Sequence, residues 1–253
     1  MNIAVCVKHA VDEGELRADT SGRPQLQGAL SKMGSFDRNA VEEAIRLKES
    51  NGGSVTVVCL GGADSKKTLK EALAMGCDKA LAVASARALD ALATSYYLSR
   101  ALKKAGPFDV VLLAEGASDT YHGLVGPMLA RWLGLPFLGF ARKVEVNGSK
   151  VRTEAALEDR AESYETVLPA VISVVSEVNT PRYPTLLQIM QAAKKPMEEV
   201  TVESLTDEGA PKFGVTVGDV VVQSVDRKKL VFEGPAEETS RKLIDALRKE
   251  GLL

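Results

Sequence analysis

Continuous apolar runs alternate with stretches of helical periodicity through the first half of the chain. The runs are rich in β-branched residues and show no polar alternation, which is typical of strands covered on both faces. They predict strands at residues 2–8, 54–60, 79–84 and 109–114. Apolar residues three and four apart predict helices at residues 35–51, 64–74, 88–104 and 124–133. This order predicts an α/β fold: a Rossmann-like parallel sheet with helices on both faces.

The pattern of alternation changes after residue 134. Alternating apolar and polar residues on both sides of Asn147-Gly148 predict a hairpin over residues 143–153. Two more strands are predicted at residues 163–168 and 169–175. The second of these is continuously apolar, so we expect it inside the sheet.

Two polar stretches interrupt these elements. Residues 12–28 contain Gly14, Gly22 and Pro24, which favour a hairpin or a long loop. Beyond Tyr183 the chain is more polar, and we interpret it as an extended arm. The arm ends in a helix predicted at residues 236–247, with apolar Leu243, Ile244 and Leu247.

The helix near residue 35 begins with several polar side chains. Ser35 or Asp37 can cap it. Glu42 and Glu43 lie in its first turns, where a negative charge favours the helix dipole. We interpret this acidic pair as part of a solvated face.

Composition and charge exclude several classes of function. The 253 residues carry 32 basic and 34 acidic side chains, a net charge of −2 that gives no electrostatic footprint for nucleic acid. Three cysteines and two histidines form no metal-binding or disulfide pattern. Neither a signal peptide nor an apolar run long enough to span a membrane is present, so we expect a cytoplasmic protein.

Candidate chemistry concentrates in the loops that follow three predicted strands. In an open parallel sheet, ligands bind beyond the carboxyl ends of the strands. The segments concerned follow Val7, Leu60 and Ala114. The loop after Ala114 holds Asp119 and His122, which an acid/base hydrolase could use, although a pair without a third member is not diagnostic.

Several motifs, in a fixed order, resemble the β subunit of electron transfer flavoproteins. They are VCVK at residues 5–8, AVEEAIRLKE at residues 40–49, ALAMGCDKA at residues 72–80, DVVLL at residues 109–113 and PRYPTL at residues 181–186. The resemblance covers nearly the whole chain. It implies an adenine nucleotide α-hydrolase-like fold. A nucleotide-binding domain would span residues 1–185, and an arm and helix at residues 186–253 would dock on an α subunit.

The resemblance also implies a function. Family members are electron carriers rather than enzymes with their own substrate. They pass electrons from acyl-CoA-type dehydrogenases through a FAD, shared with the α subunit, to a quinone reductase or another acceptor. The β subunit itself binds AMP in most members and a second FAD in the electron-bifurcating branch. For this chain we expect AMP, with a second FAD or an empty site as alternatives.

The cofactor-binding positions implied by the family lie in four segments. They are Cys6; Gly34, Ser35, Phe36 and Asp37; Leu60 and Gly61; and Ala114, Gly116, Ser118, Asp119, Thr120, His122, Gly123, Leu124, Val125 and Gly126. The family's usual Asn-Pro is Gly34-Ser35 here, and its usual Gln and Thr are Leu124 and Val125. Two side-chain hydrogen bonds, each about 0.5–1.5 kcal/mol, are therefore lost.

The implied partner-binding positions lie in the family's dehydrogenase-recognition loop, at residues 180–191. They are Arg182, Tyr183, Leu186, Ile189 and Met190. In the family an exposed leucine at the position of Leu186 anchors in the partner, whereas the residues alone favour a helix that buries Leu186 or Leu187. A stand-alone nucleotide-binding module of the universal stress type is the alternative class, but it has no need of about 60 further residues.

Overall fold

The computed structural model describes residues 1–12, 14–15, 17–19, 21–25, 28–207, 210, 214–215, 218 and 228–253. The strands are β1 Asn2–Val7, β2 His9–Val11, β3 Arg17–Ala18, β4 Pro24–Gln25, β5 Ser31–Met33, β6 Ser54–Gly61, β7 Lys79–Ala84, β8 Val110–Ala114, β9 Phe137–Asn147, β10 Lys150–Ala156, β11 Ala161–Val167, β12 Ala170–Val174 and β13 Met197–Thr201. The α-helices are α1 Ser35–Asn51, α2 Ser65–Met75, α3 Ala91–Ala105, α4 Val125–Leu133, α5 Leu186–Ala192, α6 Val202–Leu205 and α7 Ala236–Lys249.

A nine-stranded sheet organises the molecule, in the order β11-β10-β9-β12-β8-β1-β6-β7-β13. All neighbours from β9 to β13 are parallel, and β10 and β11 are antiparallel additions. The chain enters at β1, proceeds outward through β6 and β7, and then returns to β8 on the other side of β1. This reversal places the topological switch point between β1 and β8. The predicted α/β fold with a mostly parallel sheet is confirmed.

The continuous apolar runs follow from burial on both faces of the sheet. In β1, Ile3 and Val5 pack into one core with α1 and α2, while Ala4 and Cys6 pack into the other with α3 and α4. Strand side chains alternate between faces, so both sets must be apolar when both faces are covered.

The ends of the predicted helices differ from the observed ones for local reasons. α1 begins as expected, but its N-cap is Gly34, and neither Ser35 nor Asp37 caps it. α3 begins at Ala91 because the Asp90 side chain accepts a hydrogen bond from the Ala93 amide at 2.7 Å. The predicted hairpin of the polar stretch is present as the β3–β4 pair.

The interpretation of the chain after Tyr183 as an extended arm is wrong for three segments. Residues 186–192 and 202–205 are helical, and β13 joins the sheet parallel to β7. β13 has the sequence MEEVT, and at the sheet edge it pairs through its backbone with β7, with Met197 and Val200 half-buried against the cores. The final helix α7 is present at Ala236–Lys249 and, within the described part of the chain, buries none of its side chains.

Candidate functional site

A charged side chain bridges the crevice at the switch point. Lys8 follows β1, and its Nζ lies 2.5 Å from Asp119 Oδ1 and 3.4 Å from Thr120 Oγ1, in the loop after β8. Asp119 Oδ2 also accepts a hydrogen bond from the Val11 amide at 3.3 Å. An ammonium group therefore lies where ligands of open α/β sheets bind.

Asp37 lies behind this pair, at the start of α1. Its carboxylate is buried and accepts a hydrogen bond from the Lys8 amide at 3.1 Å. Burial, with a smaller contribution from Asp119, raises the pKa of Asp37 to about 7. The absence of a side chain at Gly34 lets the Asp37 carboxylate and the Ser118 hydroxyl lie close to the backbone. A Cβ at this position would lie 2.6 Å from Asp37 Oδ2 and 3.3 Å from Ser118 Oγ.

Two aromatic rings meet beside the crevice. Phe36 and Tyr121 pack edge to face with their centroids 5.7 Å apart. Tyr121 adopts a left-handed backbone conformation, with φ of 43°. Its ring covers Gly116, where a Cβ would lie 2.9 Å from the ring carbon Cδ2. The hydrogen bond between Tyr121 and Glu115 raises the pKa of the phenol.

α4 begins at the end of the loop that follows β8, at the same edge of the sheet. Its N-cap is Leu124, whose apolar side chain caps no amide, and since Pro127 has no N–H, the Val125 and Gly126 amides are the donors that this helix start can offer an anion. Gly126 lets this end of the helix approach the sheet: a Cβ there would lie 3.0 Å from the Phe137 ring and 3.2 Å from Leu113 Cδ1. Packing accounts for this glycine without any ligand.

The structure brings only part of the sequence-derived set together. Gly34, Asp37, Ser118, Asp119 and Thr120 converge around Lys8. Others lie at the same edge of the sheet without a contact in this cluster. These are buried Ala114, half-buried Val125 and exposed Ser35, His122, Gly123 and Leu124. Asp119 pairs with Lys8, and within the described part of the chain no hydrogen bond joins it to His122, so the acid/base pair of the hydrolase alternative is not formed.

Cys6, Leu60 and Gly61 lie at the ends of β1 and β6. The Cys6 thiol is buried, and burial raises its pKa to about 12, which makes it unreactive. The turn after Gly61 closes on itself, because the Ser65 amide and hydroxyl both donate to the Gly62 carbonyl at 3.0 and 2.7 Å.

Two residues of this cluster were missed by the sequence reasoning. Lys8 ends the VCVK strand, and a charge at the carboxyl end of a buried parallel strand is a signal that could have identified it. Tyr121 carries no comparable signal, since its position depends on a left-handed residue within a loop.

A second surface with functional character lies on α5. We call Leu186, Leu187, Ile189 and Met190 the α5 patch. All four side chains are exposed, and Leu186 retains 75% of its accessible surface. Tyr183, just before the helix, is 87% exposed. The expectation from the residues alone, a helix that buries Leu186 or Leu187, is therefore wrong, whereas Arg182 points back toward α1.

The residues that the structure describes contain neither a cluster of metal ligands nor a membrane-spanning helix. Across those residues, no group of three or more His, Cys, Asp or Glu side chains could hold a metal ion. No helix within the same ranges has the length and apolar character needed to cross a membrane.

Comparisons with known proteins agree with one another. The profile of the electron transfer flavoprotein domain matches residues 26–205. The electron transfer flavoprotein subunit beta of Bacillus subtilis (strain 168) is 35% identical over 256 residues, covering 99% of this chain and 98% of the relative. Proteins of the same description from Thermoanaerobacterium thermosaccharolyticum and Clostridium acetobutylicum are each 33% identical, over 100% and 99% of both chains respectively.

Proposed function

The chain belongs to the electron transfer flavoprotein β-subunit family, and on that premise we propose that it is the β subunit of a heterodimeric electron carrier. Together with an α subunit it holds a FAD. The complex takes electrons from acyl-CoA-type dehydrogenases and delivers them to a quinone reductase or another acceptor. The bound flavin supplies the redox chemistry, and this chain supplies binding and positioning.

We further propose that the switch-point crevice holds an adenine nucleotide, with AMP preferred over a second FAD. The observation that carries this proposal is the position of the Lys8 ammonium at the switch point, 3.4 Å from the Thr120 hydroxyl, with the start of α4 at the same edge of the sheet. Both features attract phosphate. The hydroxyls of Ser118 and Thr120 supply further hydrogen bonds, and the Asp119 carboxylate can accept from ribose hydroxyls.

The α5 patch supports the proposal that the dehydrogenase docks on this helix. A few exposed apolar side chains in a polar surround suit transient association, in which a few residues dominate the affinity. The dehydrogenase would bury Leu186, the most exposed residue of the patch.

One preparation tests the flavoprotein and nucleotide proposals. The chain is co-expressed with the α subunit of its own genome, and the purified complex is examined by absorbance and by mass spectrometry of the heat-released nucleotides. We expect one FAD and one AMP per heterodimer. Two FAD would point to the electron-bifurcating branch. A colourless complex, or a stable homodimer that binds ATP without an α subunit, would contradict the proposal.

A further inference from the structure

The acidic pair on α1 is not a solvated face, as its sequence suggested. Glu42 and Glu43 are 4% and 6% exposed. They lie beneath residues 176–185, which connect β12 to α5 and which we call the strap. Buried carboxylates need partners, and the strap supplies them.

Arg182 makes the largest set of these contacts. Its Nε and Nη2 donate to the two Glu42 oxygens at 2.8 and 3.0 Å, and its Nη1 and Nη2 donate to the two Glu49 oxygens at 2.6 and 3.0 Å. The Arg182 amide also donates to Glu42, at 3.1 Å. Glu42 and Glu49 are two helical turns apart, so one planar guanidinium spans both carboxylates.

A second pair holds the preceding part of the strap. Asn39 Nδ2 donates to the Ser176 and Asn179 carbonyls at 3.0 and 2.8 Å. In return, Asn179 Nδ2 donates to the Asn39 carbonyl at 3.0 Å and to Glu43 at 2.9 Å. The strap is thus bound to one side of α1 from Ser176 to Arg182. Three residues separate Arg182 from the start of α5.

The other end of α5 is also fixed. Ala192 is buried against the main core, and Lys195 Nζ donates to the Leu73 and Cys77 carbonyls at the end of α2, at 2.8 and 2.7 Å. Within the helix, Thr185 and Gln188 form a capping box. A seven-residue helix is too short to be stable alone, so its order depends on these anchors.

From these contacts we propose that Arg182 is a positioning residue: its clamp on Glu42 and Glu49 holds the α5 patch in the orientation that a dehydrogenase recognises. The proposal rests on the docking role proposed above for α5. The family resemblance implied that Arg182 binds the partner directly. In this proposal it acts on α5 instead, because its guanidinium is hydrogen-bonded to Glu42 and Glu49 of α1. Without the clamp, α5 would sample other orientations, and only a fraction of molecules would be competent to dock.

Three variants of the heterodimer test the clamp. Arg182→Gln removes it. Glu49→Gln weakens only the solvent-exposed half of the clamp, the pair between Arg182 and Glu49. This variant keeps the proposal testable if Arg182→Gln fails to fold because buried Glu42 loses the guanidinium. Arg46→Gln is the matched control: Arg46 also lies beside Glu42, with Nε at 3.5 Å, but on α1 itself and half exposed.

The first measurement is amide hydrogen exchange over residues 180–192. We expect exchange to accelerate about tenfold or more in Arg182→Gln and less in Glu49→Gln, with Arg46→Gln unchanged, because opening free energies report local anchoring. Exchange in Arg182→Gln equal to that of the unmodified protein would overturn the clamp whether or not α5 is a docking site.

The second measurement is electron transfer from an acyl-CoA dehydrogenase of the same organism, reduced with its acyl-CoA. If the clamp keeps α5 competent, a fall of the competent fraction to about a tenth raises the apparent KM about tenfold. We expect kcat and flavin content to stay unchanged. The apparent KM of Arg182→Lys should lie between those of Arg182→Gln and the unmodified protein, since an ammonium cannot bind both carboxylates bidentately.

Leu186→Ala, measured in parallel, separates the two proposals. An unchanged KM in Leu186→Ala would overturn docking through α5 and, with it, the role of the clamp in docking. A raised KM in Leu186→Ala together with an unchanged KM in Arg182→Gln would overturn the clamp alone. A raised KM in both variants, with Arg46→Gln normal, supports both proposals.

Discussion

Lys8 is the residue on which the nucleotide proposal depends most. A charged hydrogen bond to phosphate contributes about 1.5–3 kcal/mol, so Lys8→Gln should weaken AMP binding by the heterodimer roughly tenfold to hundredfold. Isothermal titration of nucleotide-stripped complex measures this directly. Because Asp119 then loses its ion-pair partner, we also expect a small loss of thermal stability.

Lys67→Gln is the control for Lys8→Gln. It removes an equal charge from α2, where Lys67 pairs with Asp64 on the exposed surface. AMP affinity should stay unchanged in this variant. Equal affinities for all three proteins would exclude Lys8 from the binding site.

Asp37 should make stability depend on pH. An unfolded aspartate has a pKa near 3.8, and burial raises that of Asp37 to about 7, so between these values the folded protein holds an extra proton. The free energy of unfolding should therefore fall as pH rises through this window, by up to about 4 kcal/mol, and level off above it.

Asp37→Asn isolates this contribution. Its amide oxygen can still accept the hydrogen bond from the Lys8 amide, but it does not titrate. In urea unfolding, the variant should gain stability relative to the unmodified protein between about pH 5 and about pH 8. A difference between the two proteins that is constant over this range would assign the pH dependence to other groups.

At the scale of elements, substitution of Gly126 tests whether helix packing or ligand binding explains why a glycine occupies this position. Gly126→Ala places a methyl group 3.0 Å from the Phe137 ring and 3.2 Å from Leu113, and we expect a loss of about 1–3 kcal/mol in unfolding free energy. Gly62→Ala, which meets no atom within 4 Å, should change stability by less than about 0.5 kcal/mol. Equal stabilities would contradict the packing explanation.

Elements were predictable from the sequence where their energetics are local. β7 matches its predicted range, Lys79–Ala84, because a buried strand carries its own apolar signature. β13 escaped prediction because its polar sequence pairs through the backbone with an edge that the sequence does not display. The burial of Glu42 depends on Arg182, 140 positions away. Helix α1 was therefore predictable from its own sequence, whereas the burial of its acidic pair was not.

The candidate site shows the same division. The loop after β8 was predictable, since a parallel sheet directs such loops to one edge. The Lys8–Asp119 pair was not, because it joins residues 111 positions apart across the switch point. The cofactor set taken from the family resemblance therefore included Asp119 but omitted Lys8, with which it pairs.

At the scale of the whole molecule, two exposed apolar surfaces have different characters. The α5 patch is a short helix fixed at both ends, which suits repeated, reversible docking. α7 is longer, and within the described residues it buries no side chain, although Leu243 and Ile244 lie side by side on it. An amphipathic helix that leaves its apolar side exposed suits a permanent partner. We therefore propose that α7 docks on the α subunit.

Replacing both apolar residues of α7 tests this assignment. Leu243→Asp combined with Ile244→Asp adds two negative charges to the apolar side, and we expect the heterodimer to dissociate during size-exclusion chromatography and to lose FAD. Lys242→Asp changes the charge by the same amount on the opposite side of the helix and should leave the complex intact. The double variant and Lys242→Asp should both keep the unfolding midpoint of the unmodified β subunit. The reason is that α7 contributes no residue to the described hydrophobic cores. Co-elution of the double variant with the α subunit at unchanged flavin content would place the permanent interface elsewhere on this chain.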